Sequence, residues 1–359
     1  MTSILFIILS IILVGIHVAF AAILVGNLVY LRTLSATREP ERWPSLSVFI
    51  PARNEEANLR RLLPTLFSQD YDQFDVVVYD DGSTDGTWDL LQQFEDDRLR
   101  TIRGEGPPPG WVGKVNALYQ ATRGAGAEVY LFLDADGEFT NPDALKRMVA
   151  SLLSQPRDSV MTGLPRLRGG GRMLVSLVPF AMLSVLPWFL IRRGPHQFGA
   201  LNGQLWMIRG ADYRKLEPHR AHAGEILEDV RIGRFLSANG IKPYPFDATR
   251  CFNVYMYRNV RDAWSGFKKN AYLLMGGTPA SFLFNAAFFL VVYLVSPFIS
   301  LWFLASTMAL KAITDVRTRF GPTVTLSTPA ALVVSVLIQW DSAIAHWRGR
   351  VSWKGRTIK

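Results

Sequence analysis

Residues 47–56 read SVFIPARNEE, residues 75–85 read DVVVYDDGSTD and residues 129–137 read VYLFLDADG. Each is a short apolar run followed directly by charged and polar residues. Residues 47–52, 75–79 and 129–133 have the length and composition of buried strands. Residues 55–67 have helical character, and further helical segments lie between the other runs. Strands alternating with helices predict an α/β fold: a mostly parallel sheet with helices on both faces. In such sheets ligands bind beyond the carboxyl ends of the strands. The polar clusters fall there: Pro51, Arg53 and Glu55 after the first strand, Asp80 and Asp81 after the second, Asp134 and Asp136 after the third.

So many carboxylates on one edge repel one another unless a cation joins them. Asp134 and Asp136 have the oxygen chemistry and spacing for a divalent ion. Mn2+ or Mg2+ held by one or two carboxylates completes its shell with substrate phosphates, which points to a diphosphate ligand. Each cluster also has a plainer reading: DDGSTD as a turn, and the acidic end of PARNEE as the first turn of a helix. The ordered combination, each cluster after a strand, is what favours a site.

Two further stretches add chemistry. In residues 110–114, GWVGK, Lys114 lies in a glycine-flanked turn ahead of a helix expected to start near Asn116, a setting suited to phosphate. In residues 224–233, GEILEDVRIG, Glu228 and Asp229 are candidate general bases, with Asp229 preferred. They also read as first-turn acids of an amphipathic helix, and the two roles are compatible.

Residues 51–136 resemble inverting glycosyltransferase family 2, which has the GT-A fold. FIPARNEE is similar to its first strand, YDDGSTD to its nucleotide-binding aspartates and LDAD to its metal-binding DxD motif. The resemblance implies that Asp80 and Asp81 meet the nucleoside, that Pro51, Arg53 and Glu55 line its pocket, and that Asp136 binds the metal with Asp134 beside the sugar. It further implies Lys114 on the donor side, Asp229 as catalytic base with Glu228 as substitute, and Gly203, Gln204 and Trp206 in an acceptor-side loop. A plain strand over residues 204–208 is the competing reading of that loop. GWxGK resembles the lipid-glycosylating branch: ceramide glucosyltransferase-like, hopene-associated and carotenoid glycosyltransferases. Arg258 and Arg261 keep the arginine spacing of the processive members' Gln/Arg-x-x-Arg-Trp motif, but Trp264 comes two residues late. That departure argues against polymer synthesis. Arg261 is expected at the diphosphate and Trp264 at the acceptor.

Long apolar runs set the membrane expectation. Residues 4–31 form an almost unbroken apolar run whose only strongly polar residues are His17 and Asn27, long enough to span about 30 Å of hydrocarbon. A cleaved signal peptide is the rival, with Ala19-Phe20-Ala21 as its cleavage site, but no Lys or Arg precedes the run. Arg32, Arg38 and Arg42 follow it and place the following chain in the cytoplasm. Residues 282–310 form a second run, one tilted helix or a re-entrant pair interrupted by Pro297. Residues 323–344 form a third. Lys311, Arg317 and Arg319 lie between them. The tail carries Arg348, Arg350, Lys354, Arg356 and Lys359 beside Trp340, Trp347 and Trp353, an interfacial pattern. Residues 173–191, flanked by Arg166, Arg168, Arg172, Arg192 and Arg193, read as interfacial or as a buried core helix. Residues 264–274 read as an interfacial helix. The expected organisation is therefore an anchor over 1–35, a cytoplasmic GT-A domain over 36–275, transmembrane helices over 276–347 and a basic tail over 348–359.

The rest of the composition excludes other classes. The chain has 359 residues and a formal charge of +9. The charge suits phosphates and an anionic phospholipid surface. Basic residues are scattered, so nucleic acid is not an expected partner. Cys251 is the single cysteine, which rules out a disulfide framework and paired-cysteine zinc sites. The expected activity is non-processive transfer of a sugar from a UDP-sugar, with glucose as the family default, to a membrane lipid hydroxyl of carotenoid, hopanoid, sterol or ceramide type. It is placed at the inner membrane, with the catalytic domain facing the cytoplasm. The alternatives are transfer to a polyprenyl phosphate, polysaccharide synthesis, and an inactive membrane adaptor. The adaptor predicts damaged acidic motifs, and here all are intact.

Overall fold

A computed structural model describes residues 2–33, 39–192, 194–353, 356 and 357. Arg38, Arg193, Lys354 and Lys359, which entered the orientation argument, lie outside the described residues. The chain divides into two compact units. One comprises Leu31–Arg166 and Leu190–Tyr255; the other comprises Met1–Tyr30, Leu167–Phe189 and Met256–Lys359.

The first unit is built on an eight-stranded sheet in the order β1-β10-β7-β9-β5-β2-β3-β4. The strands are β1 (Arg32–Thr33), β2 (Leu46–Ala52), β3 (Phe74–Asp80), β4 (Leu99–Arg103), β5 (Val129–Leu133), β7 (Ser159–Leu164), β9 (Leu205–Arg209) and β10 (Lys242–Asp247). Helices α2 (Glu56–Phe67), α3 (Thr87–Gln93), α4 (Gly113–Thr122), α5 (Ala144–Leu153), α8 (Gly210–Leu216), α9 (Pro218–Ala221) and α10 (Glu228–Ala238) lie between strands. All neighbouring pairs are parallel except β9, which runs antiparallel to β5 and β7. The mostly parallel sheet expected from the strand–helix alternation is present.

Val48, Phe49 and Ile50 of β2, Val76, Val77 and Val78 of β3 and all of β5 are buried. Strands covered on both faces read as unbroken apolar runs, which is why these three were legible. In register, Ala52 pairs with Asp80 and Phe49 with Phe132. The carboxyl ends of β2, β3 and β5 therefore share one sheet edge. Because β9 is antiparallel, Leu205 pairs with Leu133. The amino end of β9 joins the same edge and brings Gly203 and Gln204 with it.

A smaller sheet has the order β6-β11-β8, from β6 (Gly137–Phe139), β8 (Arg166–Gly169) and β11 (Phe252–Tyr257). It continues directly from the DAD turn.

The second unit is helical. Its longer helices are α1 (Thr2–Tyr30), α11 (Val260–Leu274), α12 (Pro279–Phe289), α14 (Leu301–Thr318) and α16 (Thr328–Trp347). Three segments are long and apolar enough to cross a membrane by length and composition: Ile4–Tyr30, Pro279–Ile299 and Thr328–Trp347. The second apolar run divides. After α12 the helix passes through a π-helical stretch, Leu290–Val295, and a last turn, α13 (Ser296–Ile299). It breaks at Ser300, which has extended backbone and caps α14 by accepting from Trp302 N.

Lys311, expected in a loop, is instead fully buried on α14. Its ammonium lies 2.5 and 2.6 Å from the two carboxylate oxygens of Asp315, one turn on, and Thr325 Oγ1 donates to Asp315 Oδ2 at 2.7 Å. A neutralised pair does not count as a free loop charge. The segment after Arg172 forms two short helices, α6 (Arg172–Val175) and α7 (Leu177–Ser184). Leu174, Val175, Phe180 and Leu183 are buried. The end of this segment is capped from α1: Asn27 Nδ2 donates to Leu183 O (2.8 Å) and Leu186 O (2.7 Å), and Asn27 Oδ1 accepts from Phe189 N.

Residues 260–274, expected in the catalytic domain, fall in the helical unit. Helix α11 groups with the apolar helices because it docks on α16: Trp264 Nε1 donates to Asp341 Oδ2 at 2.8 Å, and Tyr272 N donates to Ser342 Oγ at 2.9 Å.

Candidate active site

The first two acidic strand ends are zipped together. Asp81 N donates to Ala52 O at 2.8 Å, and Arg53 Nη1 donates to the carbonyls of Asp81 (2.6 Å) and Gly82 (3.2 Å). Asn54, at a positive φ of 53°, donates from its backbone to Ser83 Oγ, while its side-chain oxygen accepts from Thr84 N. Gly82 takes φ +68°, the left-handed turn that glycine tolerates. Asp80 Oδ1 accepts from Ser83 N at 3.1 Å and from Ser83 Oγ. Asp80 Oδ2 is buried and has no hydrogen-bond partner among the described residues. Glu55 N donates to Thr87 Oγ1, and Glu55 Oε2 accepts from Asn58 at 2.6 Å. Pro51 lies in β2, opposite Tyr79. Arg53 thus has a structural task in holding the DDG turn.

Lys114 joins this edge to the acidic helix start. Its helix begins at Gly113, three residues earlier than expected. The preceding loop is fastened by Val112 N donating to Ala223 O at 2.8 Å. Lys114 Nζ lies 2.7 Å from Asp134 Oδ1 and 3.0 Å from Glu228 Oε1. Burial opposes its charge, but Asp134 and Glu228 outweigh it and hold the ammonium above the ordinary lysine value. The phosphate-suited cation is therefore engaged with two carboxylates.

Asp229 begins α10 with Glu228. Its Oδ2 accepts from Gly203 N at 3.0 Å and its Oδ1 from Val230 N at 2.8 Å. Burial, then the Glu228 carboxylate, push the Asp229 carboxyl up to about 6; Lys114 and the two N–H groups pull the other way. A carboxylate near that value is matched to proton removal close to neutral pH.

The structure brings Asp134, Glu228, Lys114, Asp229 and Gly203 together. Gln204 accepts from Asp134 N at 3.3 Å through its carbonyl. Trp206 is different. It lies in β9, 2% exposed, stacked on Phe132 with centroids 4.1 Å apart. Its register opposite Phe132 turns the indole into the core. Arg258, Arg261 and Trp264 belong to the helical unit. Arg258 is exposed and pairs with Asp262 (3.2 Å), Arg261 is exposed, and Trp264 is bound to Asp341.

Among the described residues, no group of three or more His, Cys, Asp or Glu side chains is arranged to hold a metal. The donor set still fits a hard cation that draws most of its shell from a diphosphate. Asp134, the first carboxylate of the DAD turn, is engaged by Lys114.

The sequence reading missed a buried polar layer behind Lys114. Tyr213 OH and His219 Nδ1 are 2.7 Å apart, and Thr122 Oγ1 lies 3.2 Å from the same hydroxyl. Burial, then the Lys114 charge, lower His219 to about 3, so the ring is neutral. A lone histidine outside any motif carries no sequence signal for such a place.

Residues 47–176 match the family model Glycosyl transferase family 2. That matched segment, a family 2 glycosyltransferase domain, contains Asp80, Asp81, Lys114, Asp134 and Asp136; Gly203, Glu228 and Asp229 lie beyond it. Among its relatives are two proteins named 4,4'-diaponeurosporenoate glycosyltransferase. The one from Staphylococcus haemolyticus is 28% identical over 220 residues, covering 59% of this chain and 56% of the relative. The one from Staphylococcus aureus (strain USA300) is 24% identical over 232 residues, covering 62% and 60%. The chain thus spans less than two thirds of the length of these relatives. Among solved structures, a mannosyltransferase from Pyrobaculum calidifontis in complex with GDP-Man and Mn2+ shares the fold. Its TM-score is 0.55 and its identity 19%, with 96% of this chain and all of that one covered.

Proposed function

We propose that this protein transfers a sugar, glucose by family default, from a UDP-sugar to a hydroxyl of a membrane lipid of carotenoid type, with inversion and one sugar at a time. The observation that carries the reading is the junction at Lys114, where the DAD turn and the Glu228–Asp229 helix start meet across one cation. Asp80 and Asp81 with Pro51, Arg53 and Glu55 form the nucleoside side. Asp136 would hold Mn2+ or Mg2+, and the ion would supply charge neutralisation of the leaving nucleotide. Asp229 takes the proton of the attacking hydroxyl. The sugar C1–oxygen bond to the diphosphate breaks as the new C1–oxygen bond forms on the opposite face. Glu228 keeps Lys114 in place and raises the basicity of Asp229. Gly203 orients Asp229 through its N–H. Arg258 and Arg261, exposed on the helical unit, suit an anionic phospholipid surface.

The carotenoid class is supported by the names of the relatives. Those names denote a carboxylate acceptor, which would attack without losing a proton. For a hydroxyl acceptor, Asp229 is the carboxylate placed to serve as base. Three span-length helices support a membrane location. Arg32 and Arg42, basic residues after α1, support a cytoplasmic catalytic unit at the inner membrane.

The test is transfer from UDP-glucose, with Mn2+, to carotenoid alcohols and acids by the purified full chain in detergent. Asp229→Asn should keep UDP binding and lose transfer to alcohols. Equal activity of wild type and Asp136→Ala removes the metal assignment, and absence of UDP binding removes the enzyme reading.

A further inference from the structure

Directly after the DAD turn, the chain makes an arrangement that the proposed reaction does not itself require. Strand β6 pairs antiparallel with β11, Glu138 opposite Asn253 and Gly137 opposite Val254. Tyr255, the next residue along β11, donates its backbone N–H to Asp136 O at 2.9 Å. Residues 253 and 255 point to the same face of the strand. Both reach one atom: Asn253 Nδ2 and Tyr255 OH each donate to Glu138 Oε2 at 2.9 Å. The Arg61 guanidinium lies 4.0 Å above the Tyr255 ring, a cation–π contact that fixes the ring. Arg61 Nη1 donates to Asn58 Oδ1 (3.3 Å), and Asn58 donates to Glu55 Oε2 (2.6 Å). A continuous line of side chains thus runs from Glu55, on the nucleoside side, to the backbone of Asp136. Gly137 permits the close approach, since a Cβ there would lie 2.3 Å from the Phe252 ring.

We propose that Tyr255 and Glu138 are positioning residues that hold the DAD turn, and with it Asp136, for the divalent ion and couple that turn to helix α2. The inference rests on Asp136 as the metal-binding residue. Glu138 acts as a hydrogen-bond acceptor, not as a ligand. Outer partners of a metal-binding group typically change metal affinity about tenfold or more when removed.

The experiment is Mn2+ binding followed by electron paramagnetic resonance, with UDP present, on the purified full chain. Transfer kinetics and thermal midpoints are measured alongside. Tyr255→Phe should weaken Mn2+ binding about tenfold while kcat at saturating Mn2+ stays near wild type. Glu138→Ala should do the same. Glu138→Gln keeps an oxygen for both donors and should bind Mn2+ like wild type. Unchanged Mn2+ affinity in both Tyr255→Phe and Glu138→Ala overturns the proposal. Equal loss in Glu138→Gln and Glu138→Ala also overturns it, because the charge would then be what matters. Asp136→Ala separates the two levels: if it binds Mn2+ as well as wild type, the metal assignment itself fails. If only Asp136→Ala loses binding, the assignment stands and the brace falls.

Discussion

Lys114 Nζ and Glu228 Oε1 are 3.0 Å apart, which ties the amino end of α4 to the amino end of α10. The same ammonium holds Asp134 at 2.7 Å. One cation therefore keeps three acidic groups, Asp134, Glu228 and Asp229, in one small volume. The Lys114, Asp134 and Glu228 side chains are 11–27% exposed, so removing Lys114 leaves partly buried carboxylates uncompensated and costs less than the roughly 3–5 kcal/mol of a fully buried pair. Lys114→Met should lower the thermal midpoint and abolish most transfer. Lys114→Arg, which keeps the charge, should recover much of the midpoint. A Lys114→Met protein as stable as wild type would show that the ammonium does not neutralise this cluster.

The pH dependence follows from Asp229. A base acts only when deprotonated, so kcat/KM should fall as pH drops through about 6, the value to which burial and Glu228 push this carboxyl. The groups that face it are Glu228, whose charge raises it, and Lys114, whose charge lowers it. Glu228→Gln should therefore move the acid limb to lower pH. A limb that stays in place in Glu228→Gln would mean that another group is titrating.

The raised carboxyl also affects stability. Its folded value lies above the ordinary aspartate value, so the folded state binds the proton more tightly than the unfolded chain. This group's contribution is most favourable at pH below the unfolded value and is lost as pH rises through about 6. Asp229→Asn removes that penalty. The variant should be inactive yet melt at or above the wild-type temperature at pH 8, with the gap narrowing towards pH 5. A lower midpoint at pH 8 would show that the two N–H bonds to Asp229 outweigh the burial cost.

Gly203 leaves room for this geometry. A Cβ there would meet Lys114 Nζ at 3.2 Å and Asp229 Oδ2 at 3.3 Å. Gly203→Ala should fold and bind UDP, but displace Asp229 enough to reduce kcat by about tenfold, in line with the sensitivity of general-base catalysis to position. Unchanged kcat would show that Asp229 tolerates the displacement.

The parallel strands and their acidic ends were legible because β2, β3 and β5 are buried on both faces and read as apolar runs. Asp134, Glu228 and Asp229 converge as their motifs suggested. What the sequence hid depends on partners distant in the chain. The pairing of Lys114 with Glu228 crosses more than a hundred residues, as does the hydrogen bond from Tyr255 to Glu138. Lys311 read as a loop charge because its neutralising partner, Asp315, is recognised only once the helix is known to continue.

Trp206 shows how strand register decides between two roles. In QLWMI the indole faces the cleft or the core depending on a single step, since adjacent residues point to opposite faces. The pairing of Trp206 with Phe132 selects the core, and His219 lies behind it with centroids 5.7 Å apart. Trp206→Ala should therefore cost about 3–5 kcal/mol, read as a lower denaturation midpoint. Trp206→Phe, which keeps the stacking on Phe132, should cost less and leave the KM for the lipid acceptor unchanged at a temperature where the protein is folded. A Trp206→Phe protein of wild-type stability with a raised acceptor KM would return this residue to the cleft.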